Sequence, residues 1–206
     1  MGERVVAAFD VDGTLTRRDS LGPFLAYACG RRAVIAAAAR LTPELARGAL
    51  RRDERDRAKE RLIEALLRDR DAAELGERGR RYAAGLHRDG RMRDDTLRRL
   101  AWHLAEGHDV VLVSASPTVY LDPLGEALGV TAVVSTRLEV DGSGRLTGRF
   151  DGPNVRGAEK VRRLRAWLGA GTVELWAYGN STDDEPMLAL AEFPHRIGRR
   201  PLPPVA

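Results

Sequence analysis

The chain has 206 residues, of which 43% are hydrophobic and 5% aromatic, which suits one ordinary globular domain with an insertion. Its single cysteine, Cys29, excludes an internal disulfide framework and a multi-cysteine zinc site. The net charge of +4 comes mostly from residues 47–81, where 12 basic and 9 acidic side chains alternate in sign. Such alternation favours a solvated, ion-paired helix surface over a face that binds nucleic acid or a membrane surface.

The first predicted elements are a buried strand over residues 5–10 and a long helical segment over residues 21–86. Breaks in the helices are expected at Thr42-Pro43 and around Gly76 and Gly79, and no strand pattern interrupts them. The longest uninterrupted apolar run in this segment is seven residues. A membrane span requires roughly 20, so we expect no transmembrane segment.

After this helical insert, predicted strands and helices alternate, which indicates an α/β fold with a doubly wound, mainly parallel sheet. Ser116 and Pro117 are expected to begin a helix that Pro123 interrupts. In such a sheet, ligands bind beyond the carboxyl ends of the strands. The remaining predictions are strands over 109–113, 132–135, 173–178 and near 196, helices over 92–106, 159–168 and 185–191, and a hairpin that joins 138–140 to 145–150.

The segment Asp10-Val11-Asp12-Gly13-Thr14, directly after the first strand, is the most informative stretch of the chain. Alternate residues of a strand point to the same side, so the carboxylates of Asp10 and Asp12 leave the strand together. One of them can attack phosphorus while the other handles the leaving group's proton, and a cation would relieve their repulsion. Asp-Gly is also common in turns, so the segment alone leaves a purely structural explanation open.

Three further segments lie at the same predicted sheet edge: Ser114, Lys160 and the turn from Asn180 to Asp184. Helix entry would explain Ser114, and capping would explain the turn. Lys160 stands near a helix start, where the dipole disfavours a cation, and it is one of only two lysines among 34 basic residues, with Lys59. These separate explanations do not account for the shared order and strand-end placement of all four segments.

On these motifs the chain resembles the haloacid dehalogenase superfamily, specifically the phosphoserine phosphatase-like branch whose helical cap follows the first motif. Residues 10–14 match the first motif in full, Ser114 the second, Lys160 the third and residues 179–188 the fourth. The resemblance implies a catalytic core formed by residues 1–16 and 90–206, and a cap formed by residues 17–89.

The resemblance also implies roles for the matched residues. Asp10 would attack the phosphomonoester and become an aspartyl phosphate, and Asp12 would protonate the leaving group and later activate water. Ser114 and Lys160 would hold the phosphoryl oxygens, where the transition state spreads its charge.

Mg²⁺ is the cofactor that the resemblance implies, bound by the Asp10 side chain, the Asp12 backbone carbonyl and the fourth motif, with Asn180 and Asp184. The branch usually offers an aspartate where this chain has Asn180. An amide oxygen brings no charge, so we expect weaker metal binding rather than none. Asp184 is expected to hold a metal-bound water or Lys160.

Several other side chains have weaker signals. Arg17, Arg18 and Asp19 either border the cavity under the cap and help to select the leaving group, or form a solvated linker. Asp183 is a candidate to compensate for the neutral Asn180. The four histidines show no zinc-ligand spacing and are predicted at the surface or at helix ends.

The sequence therefore predicts a cytoplasmic, Mg²⁺-dependent hydrolase of a small phosphomonoester, either a phosphorylated metabolite or a lipid head group, with no nucleic-acid partner. One alternative is a phosphotransferase that uses the same covalent chemistry. Another is a binding module with weakened catalysis, in which Asn180 marks lost metal binding. A third is salt-sensitive attachment of the arginine-rich helices to nucleic acid or a membrane surface.

Overall fold

The computed structural model describes residues 4–41, 52–198, 200 and 202. Its strands are β1 (Arg4–Phe9), β2 (Asp109–Pro117), β3 (Ala132–Thr136), β4 (Leu138–Val140), β5 (Leu146–Phe150), β6 (Val173–Gly179) and β7 (Phe193–Arg196). Five of them form a parallel sheet in the order β3-β2-β1-β6-β7, while β4 and β5 pair as an antiparallel hairpin. The predicted, mainly parallel α/β fold is confirmed, with β1 at the centre of the sheet.

Within the described residues, the insert that follows β1 contains four helices: α1 (Leu21–Cys29), α2 (Arg31–Arg40), α3 (Arg52–Leu67) and α4 (Ala72–Arg88). A bridge between Thr16 and Met92 brings the two connections of this helical insert side by side. The predicted breaks at Gly76 and Gly79 are wrong, because α4 continues through both. Each glycine destabilises a helix by only about 1 kcal/mol relative to alanine, and the packing of the buried residues of α4 offsets this loss. The break predicted at Thr42-Pro43 lies outside the described residues.

The remaining helices are α5 (Asp94–Ala105), α6 (Thr118–Leu128), α7 (Ala158–Leu168) and α8 (Glu185–Leu190). Alternate residues of β1 and β2 face opposite sides of the sheet, and both sides are buried. Val6 and Ala8 pack in a cluster with Leu164 of α7, whereas Ala7 and Phe9 share a larger cluster with the insert. In the described part of the chain, every helix is too short or too polar to cross a membrane.

The start of α6 differs from the prediction. β2 continues to Pro117, which occupies the N-cap position without a side-chain capping bond, so Ser116 does not cap the helix. Pro123 lies inside α6 and does not interrupt it. Proline removes the N–H that would bind the carbonyl four residues earlier. The helix persists because its inner face, which includes Leu121 and Leu124, is buried.

The carbonyl that Pro123 leaves without its helical donor belongs to Val119, and α4 packs directly against it. A methyl group on Gly79 would lie 2.0 Å from the Val119 oxygen, far inside contact distance. Gly76, on the same helix, has no heavy atom within 4 Å of the corresponding position. The close approach of α4 to α6 therefore depends on the missing side chain of Gly79.

His103 lies in the last turn of α5, one of the two predicted kinds of place, but it is fully buried there rather than exposed. Its ring nitrogens lie 2.9 Å from the Tyr178 hydroxyl and 2.9 Å from Nδ1 of His108. Burial lowers the pKa of His103 to about 3, so the ring is neutral at physiological pH. These contacts position Tyr178, whose carbonyl accepts the backbone N–H of Asp10 at 2.9 Å.

Replacement of Gly79 by alanine should destabilise the protein by about 1–3 kcal/mol, because the added methyl group forces α4 away from α6. The matched change Gly76→Ala should be neutral or stabilising by up to about 1 kcal/mol, since it only improves helix propensity. Urea unfolding of both variants measures the difference. Equal stability of the two variants would contradict the close packing.

Candidate active site

Asp10, Lys160 and Asp184 form a buried, hydrogen-bonded group of charges at the carboxyl edge of the sheet. Asp10 follows β1, Lys160 lies in the first turn of α7, and Asp184 immediately precedes α8. Nζ of Lys160 donates to Oδ1 of Asp10 and to Oδ1 of Asp184, both at 2.6 Å. The three residues are exposed by only 5%, 3% and 0%, respectively. One ammonium group thus pairs with two carboxylates away from water.

The other oxygen of Asp184 organises the turn that precedes α8. It accepts the backbone N–H groups of Asn180 at 3.1 Å and Ser181 at 2.9 Å, and the Ser181 hydroxyl at 2.7 Å. Both carboxylate oxygens are therefore engaged by the protein. The sequence predicts that Asp184 holds either a metal-bound water or Lys160, and the structure shows the bond to Lys160.

The pKa values of the three buried groups follow from burial and from their mutual charges. Burial raises the pKa of Asp10 to about 6, with Lys160 opposing the shift and the charges of Asp184 and Asp12 adding to it. Burial alone would lower the pKa of Lys160, but the two carboxylates raise it above its ordinary value. For Asp184, burial raises the pKa, but Lys160 and the hydrogen bonds from Ser181 together lower it below its ordinary value. At neutral pH Asp10 is therefore mainly a carboxylate, the form that can act as a nucleophile.

Asp12 is held through both of its carboxylate oxygens. Oδ1 accepts the backbone N–H of Ser20 at 2.7 Å and its hydroxyl at 2.5 Å, while Oδ2 accepts the Ser116 hydroxyl at 2.5 Å. The sequence predicts no role for Ser20, and it predicts Ser116 only as a helix cap. No sequence signal marked the pairing, because the partners lie 8 and 104 positions from Asp12.

Ser114 lies at the same edge, near the end of β2, and is 1% exposed. Phe9 pairs with Leu112 in the sheet, so Asp10 and Ser114 both lie at the carboxyl edge, where the neighbouring strands β1 and β2 end. The Ser114 hydroxyl accepts the backbone N–H of Ser116 at 3.1 Å, which leaves its proton free to be donated. The topology thus brings all four predicted motifs to one edge of the sheet.

Asn180 packs against the turn that joins Asp10 to Thr14. A methyl group on Gly13 would lie 2.1 Å from Nδ2 of Asn180, and Gly13 also has a φ of +83°, so only glycine suits this position. Oδ1 of Asn180 lies 3.4 Å from the Thr14 hydroxyl. The amide therefore contacts the turn that directly follows the two aspartates.

These residues fit a small, hard cation. Gly13 leaves room for the Asn180 amide beside the turn that follows Asp10 and Asp12. Carboxylate, carbonyl and amide oxygens are the ligands that Mg²⁺ prefers. Asp10 and Asp184 share one ammonium group and Asp12 adds a third negative charge, which leaves negative charge for a cation to balance. Among the described residues, no group of three or more His, Cys, Asp or Glu side chains is placed to hold a metal, so a cation here would also need the Asp12 carbonyl and the Asn180 amide as ligands.

Lys59 also lies near the site, although the sequence predicts no role for it. Its only notable feature in the sequence is that lysine is rare among the basic residues. It extends from α3 of the insert to the carbonyl of Ala115, between Ser114 and Ser116. Nζ also lies 3.1 Å from Oδ1 of Asn154. The insert therefore contributes a cation directly beside the second motif.

The segment that follows the first motif is one of the weaker candidates. Arg17, Arg18 and Asp19 line a cavity of about 340 Å³ that also contacts Ser20 and Tyr82. Thus this segment borders a cavity, as one of its two predicted roles requires.

Asp183 forms an ion pair outside the buried group of charges. Its Oδ2 pairs with Nη2 of Arg156 at 2.6 Å, so its charge is already balanced. The suggestion that Asp183 compensates for the neutral Asn180 is therefore wrong.

Comparison with known proteins agrees with this arrangement. Residues 7–189 match the model of the haloacid dehalogenase-like hydrolase family. Protein CicA of Caulobacter vibrioides is 34% identical over 190 residues, which cover 92% of this chain and 84% of CicA. Phosphoserine phosphatase SerB1 of Mycobacterium tuberculosis is 32% identical over 130 residues, which cover 61% of this chain and 41% of SerB1.

The fold is also found among solved structures. A Bordetella pertussis protein of unknown function superposes with a TM-score of 0.75 and 26% identity, covering 92% of this chain and 87% of that protein. The family model spans nearly the whole chain and includes every motif at the sheet edge. The chain therefore belongs to the haloacid dehalogenase-like hydrolase family.

Proposed function

We propose that this protein is a Mg²⁺-dependent phosphatase that hydrolyses a small or medium phosphomonoester through an aspartyl phosphate. The observation that carries the proposal is the buried Asp10 carboxylate, paired with Lys160 and placed beside Asp12 and Ser114. Membership of a hydrolase family and similarity to a named phosphatase support the same chemistry.

In this proposal Asp10 attacks phosphorus with one oxygen while the leaving group departs on the opposite side. Lys160 holds the other oxygen of Asp10 and lies close enough to neutralise a phosphoryl oxygen. The Ser114 hydroxyl donates to a second phosphoryl oxygen. Asp184 fixes Lys160 from behind and so acts through it rather than on the substrate.

Asp12 moves the proton in both halves of the reaction. It gives a proton to the departing alkoxide and then takes one from the water that attacks the aspartyl phosphate. Its location two residues after the nucleophile, with both oxygens oriented by serines, suits this role.

Asp10, the Asp12 carbonyl and Asn180 would hold the magnesium ion. When bound, it would neutralise the approach of an anionic carboxylate to an anionic phosphate. Asn180 contributes an oxygen but no charge, so we propose that the ion binds more weakly here than in a site with an aspartate at this position.

We further propose that residues 17–89 act as a cap over a core formed by residues 1–16 and 90–206. The side-by-side connections at Thr16 and Met92 would form its hinge. Lys59 would close against Ala115 and help to exclude bulk water from the intermediate. A phosphotransferase with the same cap and core remains the alternative, and it would require an added acceptor for phosphate to leave Asp10.

The first test is Asp10→Asn, which should lower turnover of 4-nitrophenyl phosphate by about 10³-fold or more because the nucleophile is lost. Wild-type protein should release inorganic phosphate with Mg²⁺, without an added acceptor, and stop when EDTA is added. Asp183→Asn, which changes an acid of the same sheet edge outside the buried group, should retain activity within about threefold. Undiminished turnover by the Asp10→Asn variant would exclude the proposed nucleophile.

Asn180→Asp should tighten Mg²⁺ binding by about tenfold, since it adds charge to the proposed ligand set. Isothermal titration of Mg²⁺ into wild-type protein and variant measures this without relying on activity. Asp183→Asn is again the control, and its affinity should match that of the wild type. An unchanged affinity in Asn180→Asp would mean that residue 180 is not a ligand.

Lys160→Met should lower the free energy of unfolding by about 3–5 kcal/mol, because two carboxylates remain buried without their cation. Adding Asp184→Asn should restore part of the loss by removing one of those charges. Arg162→Met, in the same helix, breaks an exposed ion pair with Glu159 and should cost at most about 1 kcal/mol. Similar losses for Lys160→Met and Arg162→Met, measured in urea without metal, would argue against the shared buried pair.

A further inference from the structure

Three hydroxyl groups surround the carboxylate of Asp12, and two of them bind it directly. Ser20 donates to Oδ1 and Ser116 donates to Oδ2, both at 2.5 Å. The Tyr120 hydroxyl lies 2.8 Å from the Ser20 hydroxyl. These three side chains, the hydroxyl cluster, are 0–3% exposed.

We propose that Ser20, Ser116 and Tyr120 are positioning residues that aim Oδ2 of Asp12 at the leaving group. This inference rests on the proposed phosphatase function, in which Asp12 transfers the proton. The three residues act through Asp12 and do not touch the substrate themselves.

The two oxygens of Asp12 are not equivalent, and this asymmetry identifies the reactive one. Oδ1 accepts two hydrogen bonds, both from Ser20, whereas Oδ2 accepts one. Ser116, the partner of Oδ2, also donates its backbone N–H to the Ser114 hydroxyl, so Oδ2 lies on the side of the proposed phosphoryl site. Oδ2 therefore has both the free lone pair and the correct direction for proton transfer.

Hydroxyl groups suit this role because they can donate or accept. Asp12 is only partly exposed, so as a carboxylate it requires donors and as a carboxylic acid it requires an acceptor for its proton. Either the Ser20 or the Tyr120 hydroxyl can be the donor in the bond between them. The Ser20 hydroxyl can therefore donate to Asp12 or accept from it without losing its contact with Tyr120.

The hydroxyl cluster is also held from several parts of the fold. Ser20 immediately precedes α1, Ser116 lies near the end of β2, and Tyr120 lies in α6. The Tyr82 hydroxyl of α4 donates to the Ser20 carbonyl at 2.8 Å. The orientation of Asp12 is therefore determined jointly by the insert and by the sheet.

A leaving-group comparison tests the proposal. Phenyl phosphate and 4-nitrophenyl phosphate are nearly the same size, but phenolate is the more basic leaving group and depends more on protonation. Ser116→Ala should lower kcat/KM for phenyl phosphate at least about fivefold more than for 4-nitrophenyl phosphate. Ser20→Ala should act in the same direction. Ser116→Thr, which keeps the hydroxyl, should restore the wild-type ratio between the two substrates.

Two variants separate positioning from stability. Tyr120→Phe keeps the buried ring and removes only the hydroxyl, so it should shift the substrate ratio even if an alanine variant folds poorly. Ser135→Ala removes a buried hydroxyl that has no hydrogen-bond partner and should leave the ratio unchanged. Equal losses on both substrates in the Ser116→Ala and Tyr120→Phe variants would overturn the positioning role while leaving phosphatase function intact. A wild-type protein inactive on both substrates would instead overturn the proposed function, and this inference with it.

Discussion

The sharing of one buried ammonium group by two carboxylates is the constraint on which the site depends. A buried charge without a partner costs several kcal/mol, so Asp10, Lys160 and Asp184 are stable in this position only together. They come from the end of β1 and the starts of α7 and α8, and their pairing therefore fixes three elements against one sheet edge. The same pairing keeps the Asp10 carboxylate charged despite its burial.

The helical insert is as much a part of this edge as the sheet. The larger apolar cluster runs without interruption from Phe9 in β1 to Ile63 and Leu86 in the insert. Lys59 and Ser20 add polar contacts from the insert side, and Gly79 allows α4 to approach α6. In the proposed phosphatase, the insert would thus exclude water and orient the proton-transferring aspartate at the same time.

Asn180 is a neutral residue at the edge of a site that is otherwise rich in acidic side chains. The turn around it is organised by Asp184, so its backbone is held as firmly as an aspartate would be. A neutral amide at this position leaves less negative charge beside Asp10 than an aspartate would. In the proposed magnesium site this would weaken the attraction for the cation, so we expect metal affinity, rather than fold, to be the property most sensitive to residue 180.

The sequence by itself determined the order of strands and helices and the placement of Asp10, Ser114, Lys160 and Asn180 at strand and helix ends, because those features depend on local periodicity and turn chemistry. Only the tertiary structure decided that α4 continues through its glycines, that α6 continues through Pro123, and that Ser20, Ser116 and Tyr120 enclose Asp12. The hydroxyls of Ser116 and Tyr120 bond to partners about 100 positions away. Such contacts follow from how helices pack on the sheet, and neighbouring residues in the sequence do not encode them.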